Sequence, residues 1–246
     1  MQRSLQPMTN FSNKALWRSR RIYFVGALGT VIEWYDFALY GILAQVFATQ
    51  FFSHISHSFA LIMAYLVFFI SYLARPLGGL LYGLIGDHWG RKPSLLLSIF
   101  LMTLCMFVTA CLPTWGKIGG LAPLLLILFR VAQGISAGGE TVGSLVYVLE
   151  SVNRRGFYGG LIWSMGGIGL LIAMAVTVLL MHSLGMAQFS SWGWRLCYLF
   201  GGIAGLIIFF LRTFIPESIE FNQAQLKARQ QHKEMIAAVP FKKALL

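Results

Sequence analysis

The sequence predicts an all-α membrane protein with six transmembrane helices. The chain has 246 residues, of which 57% are hydrophobic and 11% are charged, and its mean hydropathy is +0.71. A soluble domain carries about 25% charged residues, so water could not solvate the surface of this chain. Its long Leu and Ile runs and 20 phenylalanines indicate helical spans instead of the period-two alternation of a membrane β-barrel.

Six apolar segments are each long enough to cross a bilayer, which takes about 20 helical residues. They are residues 22–48, 59–84, 93–112, 121–149, 157–181 and 192–215. The sequence therefore divides into a tail over residues 1–21, a six-helix bundle over 22–215 and a polar, partly amphipathic tail over 216–246. Glycines four residues apart, such as Gly134 and Gly138, predict close contact between helices.

Lys and Arg residues predict the orientation of the bundle, because they concentrate on the cytoplasmic side of a membrane. One side carries fifteen: Arg3, Lys14, Arg18, Arg20, Arg21, Arg91, Lys92, Arg154, Arg155, Arg212, Lys227, Arg229, Lys233, Lys242 and Lys243. The other side carries only Lys117 and Arg195. Both termini should therefore be cytoplasmic, in a bacterial inner membrane. The net charge of +11 is better explained by topology and contact with lipid headgroups than by a nucleic-acid partner.

Ionisable residues inside the spans are the main candidates for function. Each costs roughly 2.5–3.5 kcal/mol at a bilayer centre, so it persists only if it is paired, wet or protonated. They are Glu33, Asp36, Arg75, Arg130 and Glu140. A buried carboxylate of this kind can carry a proton, because burial disfavours its charged form and a nearby cation favours it.

The spacing of the polar residues places them on one face of each of two spans. The first span presents Gly26, Gly29, Glu33, Asp36 and Tyr40, and the fourth presents Arg130, Gln133, Ala137, Glu140 and Ser144. At about 1.5 Å per residue, Asp36 and Arg130 reach similar depths. We expect Arg130 to pair with Asp36 or Glu33, beside a central polar cavity.

Two interpretations of these charges stay open at this point. They can line a route for a solute and a proton, or they can be structural ion pairs that lock the bundle. For Arg75, which precedes Pro76, the structural interpretation is favoured, in which the Arg75 side chain anchors the loop that follows. Trp192, Trp194 and Tyr198 are expected to form an aromatic belt at the outer membrane surface.

Enzyme activity has no support in the sequence. It has no phosphate-binding loop, nucleophile–base pair or metal-ligand cluster, and no cofactor or metal is expected. The three cysteines lie in or beside apolar runs, where they are expected to pack as apolar residues.

Several motifs resemble the major facilitator superfamily of secondary transporters. The connection GLIGDHWGRK over residues 83–92 resembles the superfamily signature, with His88 where Arg or Lys is usual. VIEWYDFALYG (31–41), RVAQGISAGGE (130–140), RRGFYGG (154–160) and PESIEF (216–221) resemble its metabolite:H+ symporter group, which includes proline/betaine, α-ketoglutarate, citrate and shikimate transporters. The fifth span lacks the Gly-Pro pair of antiporters, which favours symport.

The resemblance implies the N-terminal half of a major facilitator fold, with a three-plus-three inverted repeat. It implies a proton-coupled symporter of a small carboxylate-bearing metabolite or osmolyte, working by alternating access. The implied pathway residues are Glu33, Asp36, Tyr40, Arg130, Gln133 and Glu140. The implied cytoplasmic gate comprises Arg75, Gly83, Asp87, Gly90, Arg91, Lys92, Glu150 and Arg154.

Members of this group have 12 spans in two halves, and this sequence matches one half. The expected partners are the lipid bilayer, a small solute and a proton, together with either a second six-span half or a second copy of the chain. The alternative to a transporter is a non-transporting remnant or a membrane scaffold that binds another transporter.

Overall fold

The computed structural model describes residues 9–150, 152, 154–218, 220–227 and 230, and these residues are helical or irregular, with no strand among them. The helices are α1 (Thr9–Ile42), α2 (Ala44–Phe51), α3 (His57–Leu73), α4 (Arg75–Trp89), α5 (Arg91–Cys111), α6 (Trp115–Ile118), α7 (Leu121–Leu149), α8 (Arg155–Gln188) and α9 (Trp194–Thr213). A π-helical turn, Phe189–Gly193, joins α8 to α9. Residues 220–227 are also helical.

Four segments of the described chain are long and apolar enough to cross a membrane: His57–Trp89, Arg91–Cys111, Leu121–Leu149 and Arg155–Thr213. A fifth is counted if α1 and α2 form one span, which bends by 61° between Gly26–Ile42 and Ala44–Phe51. The segment Arg155–Thr213 has 59 residues, about twice what one span needs. Gly185 interrupts its helical geometry, with φ at 75°.

Contacts between helices show that this long segment crosses the bundle twice. Gly166 of α8 lies against Trp34 of α1 and Tyr158 lies against Tyr23, so α8 runs parallel to α1. Helix α9 runs antiparallel to α5, because Arg195 donates to the Leu112 carbonyl and Arg212 donates to the Leu95 carbonyl. The six predicted crossings are therefore α1–α2, α3–α4, α5, α7, α8 and α9.

The two ends of the bundle differ in chemistry. The end that carries Asp87, Arg91 and Lys92 is called the basic end here. The opposite end carries the α2–α3 connection, where the His54 ring stacks on Trp115 at 3.7 Å between ring centroids. The main apolar core lies between these ends and includes Tyr35, Phe47 and Trp194, all at most 1% exposed.

Helix α7 approaches its neighbours most closely at glycines. A Cβ atom added to Gly134 would overlap with the Ser71 carbonyl of α3, and one added to Gly138 would overlap with the Arg75 carbonyl of α4. The predicted close contact at these two glycines is confirmed. At Gly83, in contrast, a Cβ atom would meet nothing within 4 Å.

The aromatic belt predicted at the start of the sixth span is largely wrong. Trp192 is 45% exposed, but Trp194 and Tyr198 are fully buried and pack with Phe47. The reason is that Trp194 and Tyr198 lie on the face of α9 that packs on Phe47, so these two rings face the core and not the membrane surface.

Candidate functional site

The polar faces of α1 and α7 meet along their length in antiparallel register. Four positions of α1, from Gly29 to Tyr40, lie against α7 residues from Thr141 back to Arg130. The buried charges on these faces form three separate clusters, and each cluster has its own cation.

The Asp36 cluster joins α1, α7 and α9. Arg130 Nη1 lies 3.3 Å from Asp36 Oδ2, and Gln133 Nε2 donates to Asp36 Oδ1 at 2.9 Å. Arg130 Nη2 also donates to the Tyr198 hydroxyl at 2.6 Å, and its guanidinium lies 4.2 Å from the centre of the Tyr40 ring. Asp36 is 4% exposed and Arg130 is 1% exposed. The predicted pairing of Arg130 with Asp36 is confirmed.

The Glu33 cluster joins α1, α4 and α7. Arg75 Nη2 lies 3.0 Å from Glu33 Oε1, and the Thr141 hydroxyl donates to Glu33 Oε2. The prediction that Arg75 anchors the loop is wrong. Arg75 begins α4, a helix of 15 residues, so about 22 Å separate it from the loop at the other end.

The Glu140 cluster joins α5, α7 and α9 and is fully buried. Arg212 Nη1 donates to Glu140 Oε2 at 2.6 Å, and a second bond joins Arg212 Nη2 to Glu140 Oε1. The Ser98 and Ser144 hydroxyls donate to the same carboxylate at 2.9 and 2.8 Å. A Cβ atom on Gly29 would overlap with this ion pair, so the glycine allows α1 to pack directly on it.

The sequence counts Arg212 among the charges at the end of the last span, but the structure buries its side chain instead of exposing it there. Its side chain is 0% exposed, although it lies only four residues before Pro216. The predicted pathway residue Glu140 thus lies in a sealed ion pair, apart from Asp36 and Glu33.

A network of charges closes the basic end. Arg91 lies 2.8 Å from Asp87 through Nη1 and 3.2 Å from Glu150 through Nε. Glu150 also accepts a hydrogen bond from the Ser218 hydroxyl at 2.5 Å. These contacts of Asp87, Arg91, Glu150 and Ser218 are called the loop network here. They join the α4–α5 connection to the end of α7 and to the chain that follows α9.

Glu217 completes this network from the PESIEF segment. Its Oε1 accepts hydrogen bonds from the backbone N–H groups of Arg91 at 2.9 Å and Lys92 at 3.1 Å. A carboxylate at this place satisfies free N–H groups and the positive end of the α5 dipole. Lys92 Nζ also donates to the Thr213 carbonyl at 2.6 Å.

The remaining predicted gate residues take different places. Gly90 joins α4 to α5 with φ at 115°, a conformation that favours glycine. Gly83 lies within α4, and Arg154 is exposed at the start of α8.

Replacing Gly90 with alanine is expected to open the loop network. The substitution requires a strained φ, costing about 1–3 kcal/mol, and its Cβ would overlap with Glu217 Oε2. Hydrogen exchange at the Arg91 and Lys92 amides should accelerate roughly tenfold or more. The matched control is Gly83→Ala, a helical position with free space, where exchange should stay unchanged. Equal exchange in both variants would contradict the capping role of Glu217.

Sequence reasoning missed three residues that complete these clusters. Tyr198 and Arg212 bind Arg130 and Glu140, and Glu217 caps α5. A signal for two of them was present, because Tyr198 and Arg212 lie fourteen residues apart on one span, or four helical turns. They therefore share a face that meets α7.

Two cavities lie at the ends of the bundle. One of about 510 Å³ borders the loop network at Asp87, Arg91 and Phe221, and one of about 780 Å³ lies at the opposite end beside Phe52, His54 and Trp115. Among the described residues no group of three or more His, Cys, Asp or Glu side chains could hold a metal ion. The clusters can instead bind charged groups and exchange ionic partners or protons.

Comparisons with known proteins show the family of the chain. Residues 22–241 match the family model described as "Sugar (and other) transporter". The chain is 36% identical over 237 residues to the shikimate transporter of Escherichia coli (strain K12), covering 94% of this chain and 53% of that protein. It is 38% identical over 212 residues to the alpha-ketoglutarate permease of the same strain, covering 85% and 49%. It is 34% identical over 218 residues to the proline/betaine transporter of that strain, and the match covers 87% of this chain and 43% of that protein.

Solved structures show the same fold. The proton:xylose symporter XylE of the major facilitator superfamily superimposes with a TM-score of 0.77 at 22% identity, covering 87% of this chain and 48% of that chain. The chain thus spans about half the length of the curated relatives it matches. These are transporters and not enzymes. With a family match across its whole bundle, and only helical or irregular structure among the described residues, the chain is an integral membrane protein of the sugar (and other) transporter family, and it has the fold of the N-terminal half of a major facilitator superfamily transporter.

Proposed function

We propose that this chain is half of a proton-coupled symporter for a small carboxylate-bearing metabolite or osmolyte. The observation that carries the proposal is the buried Asp36–Arg130 pair, which links α1 to α7 at a depth where a charge is costly. Named relatives transport shikimate, proline and betaine, and α-ketoglutarate, each of which bears a carboxylate.

Arg130 and Asp36 are suited to couple solute binding to a proton. Arg130 Nε and Gln133 Oε1 are buried and have no hydrogen-bond partner among the described residues, so the cluster has unused capacity for a ligand or water. A solute carboxylate that pairs with Arg130 removes the cation from Asp36. The isolated buried carboxylate then takes up a proton, because the charged form has lost its stabilising partner.

The Glu33 cluster supplies the proposed route to this pair. Asp36 and Glu33 lie one helical turn apart, and the Arg75 side chain is 16% exposed. A charged side chain that contacts the hydrocarbon of the membrane costs free energy. The face of α1, α4 and α7 on which Arg75 is partly exposed should therefore contact water or protein. A solute would enter there.

The proposed orientation places the basic end in the cytoplasm of a bacterial inner membrane. Residues 1–21 and 216–246 would then be cytoplasmic tails, in accord with the excess of Lys and Arg on that side. The loop network, with Asp87, Arg91 and Glu150, would act as the cytoplasmic gate. Its charges join three parts of the chain that must separate or move together when access changes.

Transport requires a second unit in this proposal. The relatives are about twice as long as the matched region, so the other face of the route would come from a second six-span half or a second copy of the chain. The alternative function is a membrane scaffold or remnant that does not transport, in which the buried ion pairs only lock the bundle.

Uptake into vesicles distinguishes the two functions. Vesicles that contain the chain, alone and with any six-span partner encoded beside it, are given an inward proton gradient and radiolabelled shikimate, α-ketoglutarate, proline or betaine. The symporter proposal predicts that at least one solute accumulates and that a protonophore abolishes the accumulation. Accumulation of none of them, with either arrangement, would favour the scaffold.

A further inference from the structure

Three aromatic rings surround the Arg75 guanidinium. Its central carbon lies 4.2 Å from the centre of the Phe37 ring, 5.1 Å from that of Tyr72 and 6.0 Å from that of Trp34. These three rings are called the aromatic cage here. A cation within about 6 Å of a ring centre is attracted by the ring quadrupole. The cage is therefore a binding site for a positive group, and in this structure Arg75 occupies it.

A buried carboxylate lies beside the cage. Glu33 is 1% exposed, and its Oε1 faces Arg75 Nη2 at 3.0 Å. Neither of these two atoms, nor Arg75 Nε, makes a hydrogen bond within the described structure. The pair thus attracts by charge without the directional bonds that fix Arg130 on Asp36 and Tyr198. Exchange of this cation for another would therefore break the ion pair but none of the hydrogen bonds of the described structure.

The cage also opens toward the surface of the bundle. Tyr72 is 52% exposed and the Arg75 side chain is 16% exposed, whereas Glu33 lies behind them. An incoming cation would meet the aromatic faces first and the carboxylate last. This order resembles the sites that bind alkylated ammonium groups, in which rings replace the lost water.

We propose that Arg75 is a resident cation that a substrate ammonium group displaces, so that the cage and Glu33 bind the methylated ammonium of a zwitterion. The proposal rests on the proposed transport function and specifies its substrate class. The displaced Arg75 and the nearby Arg130 are then available for the carboxylate at the other end of the same solute. An uncharged or purely anionic solute would leave Arg75 in the cage.

A pair of isosteres tests the proposal on the unmodified chain. Trimethylammonioacetate and 3,3-dimethylbutanoate have the same shape and the same carboxylate, but only the first bears a positive charge. Binding of the radiolabelled zwitterion to the chain in nanodiscs is measured with each compound as competitor. We expect the zwitterion to compete about tenfold or more better than its isostere, as a desolvated cation–π site requires. Equal competition, or no binding of the zwitterion, would overturn the proposal.

Variants of the cage provide the second test. Phe37→Leu removes an aromatic face and should abolish the preference for the zwitterion, while Phe37→Tyr should keep it. The control is Phe100→Leu on α5, where a more exposed ring packs on Phe209 away from the cage. A preference that survives Phe37→Leu in folded protein would contradict the role of the ring.

Arg75→Leu separates exchange from a purely structural role. Because it removes the resident cation, this variant should bind tetramethylammonium, which has no carboxylate, about tenfold more tightly than the wild type. Unchanged or weaker binding would contradict the displacement. If these tests fail while proton-driven uptake of an anionic carboxylate persists, the cage proposal is wrong and the transport function stands.

Discussion

Proton-driven uptake is expected to fall about a hundredfold or more when Asp36 is replaced by asparagine. The amide has nearly the same shape and can still accept a hydrogen bond from Gln133, but it cannot take up and release a proton. It also leaves Arg130 without a counter-charge, and an unpaired buried charge costs about 3–5 kcal/mol. The measurement is solute accumulation under an imposed proton gradient, normalised to the amount of folded protein.

A double variant separates the loss of transport from a loss of stability. Asp36→Asn combined with Arg130→Gln removes both charges, so it should recover much of the folded yield but none of the uptake. The matched control is Glu220→Gln, an acid-to-amide change in an exposed pair with Arg155, which should leave uptake unchanged. Uptake by Asp36→Asn within about twofold of the wild type would contradict the proposed proton step.

Arg212→Leu is expected to lower the free energy of unfolding by about 3–5 kcal/mol, because it leaves Glu140 buried without a cation. The arginine joins α9 to α7 and also donates to the Leu95 carbonyl of α5, so three helices lose a common contact. Thermal unfolding of the purified protein, followed by tryptophan fluorescence, measures the loss. The exposed Arg155→Leu is the matched control and should cost less than about 1 kcal/mol.

The apolar double variant determines whether Glu140 belongs to the pathway or only to the bundle. Replacing a buried ion pair by apolar residues of similar volume is often neutral, so Glu140→Leu with Arg212→Met should recover most of the stability. If the pair is structural, this variant also transports, which neither Asp36 variant should do. A double variant that is stable but takes up no solute would show that Glu140 belongs to the transport pathway, as the sequence predicted.

Helix positions and one ion pair could be predicted from the sequence because they depend on local patterns. Apolar length predicted the spans, and equal depth on two polar faces predicted that Arg130 meets Asp36. The partners of Arg75 and Arg212 depend instead on which helices lie side by side. Arg212 lies near Pro216 and resembles a flanking charge, but α9 turns it inward onto Glu140.

Tyr198 shows the same limit for an uncharged residue. Near the end of an apolar run, Trp and Tyr are typical of the membrane surface. A π-helical turn directly precedes α9, and Trp194 and Tyr198 lie on the face of α9 that packs on Phe47; neither feature has a clear signature in the sequence. The spacing from Arg212 indicates that Tyr198 shares a face with it, but only the three-dimensional structure shows that this face meets the Asp36 cluster.

The bare contacts of α7 at Gly134 and Gly138 have a mechanical consequence. Carbonyl groups of α3 and α4 rest directly on the α7 backbone there, without a side chain between them that could change rotamer. Sliding these helices past each other would bring the side chains that flank the two glycines against the neighbouring backbone, so we expect α3, α4 and α7 to move together. A change of access from one side of the membrane to the other would then tilt the six helices together as one body. The flexible boundary would lie outside these helices.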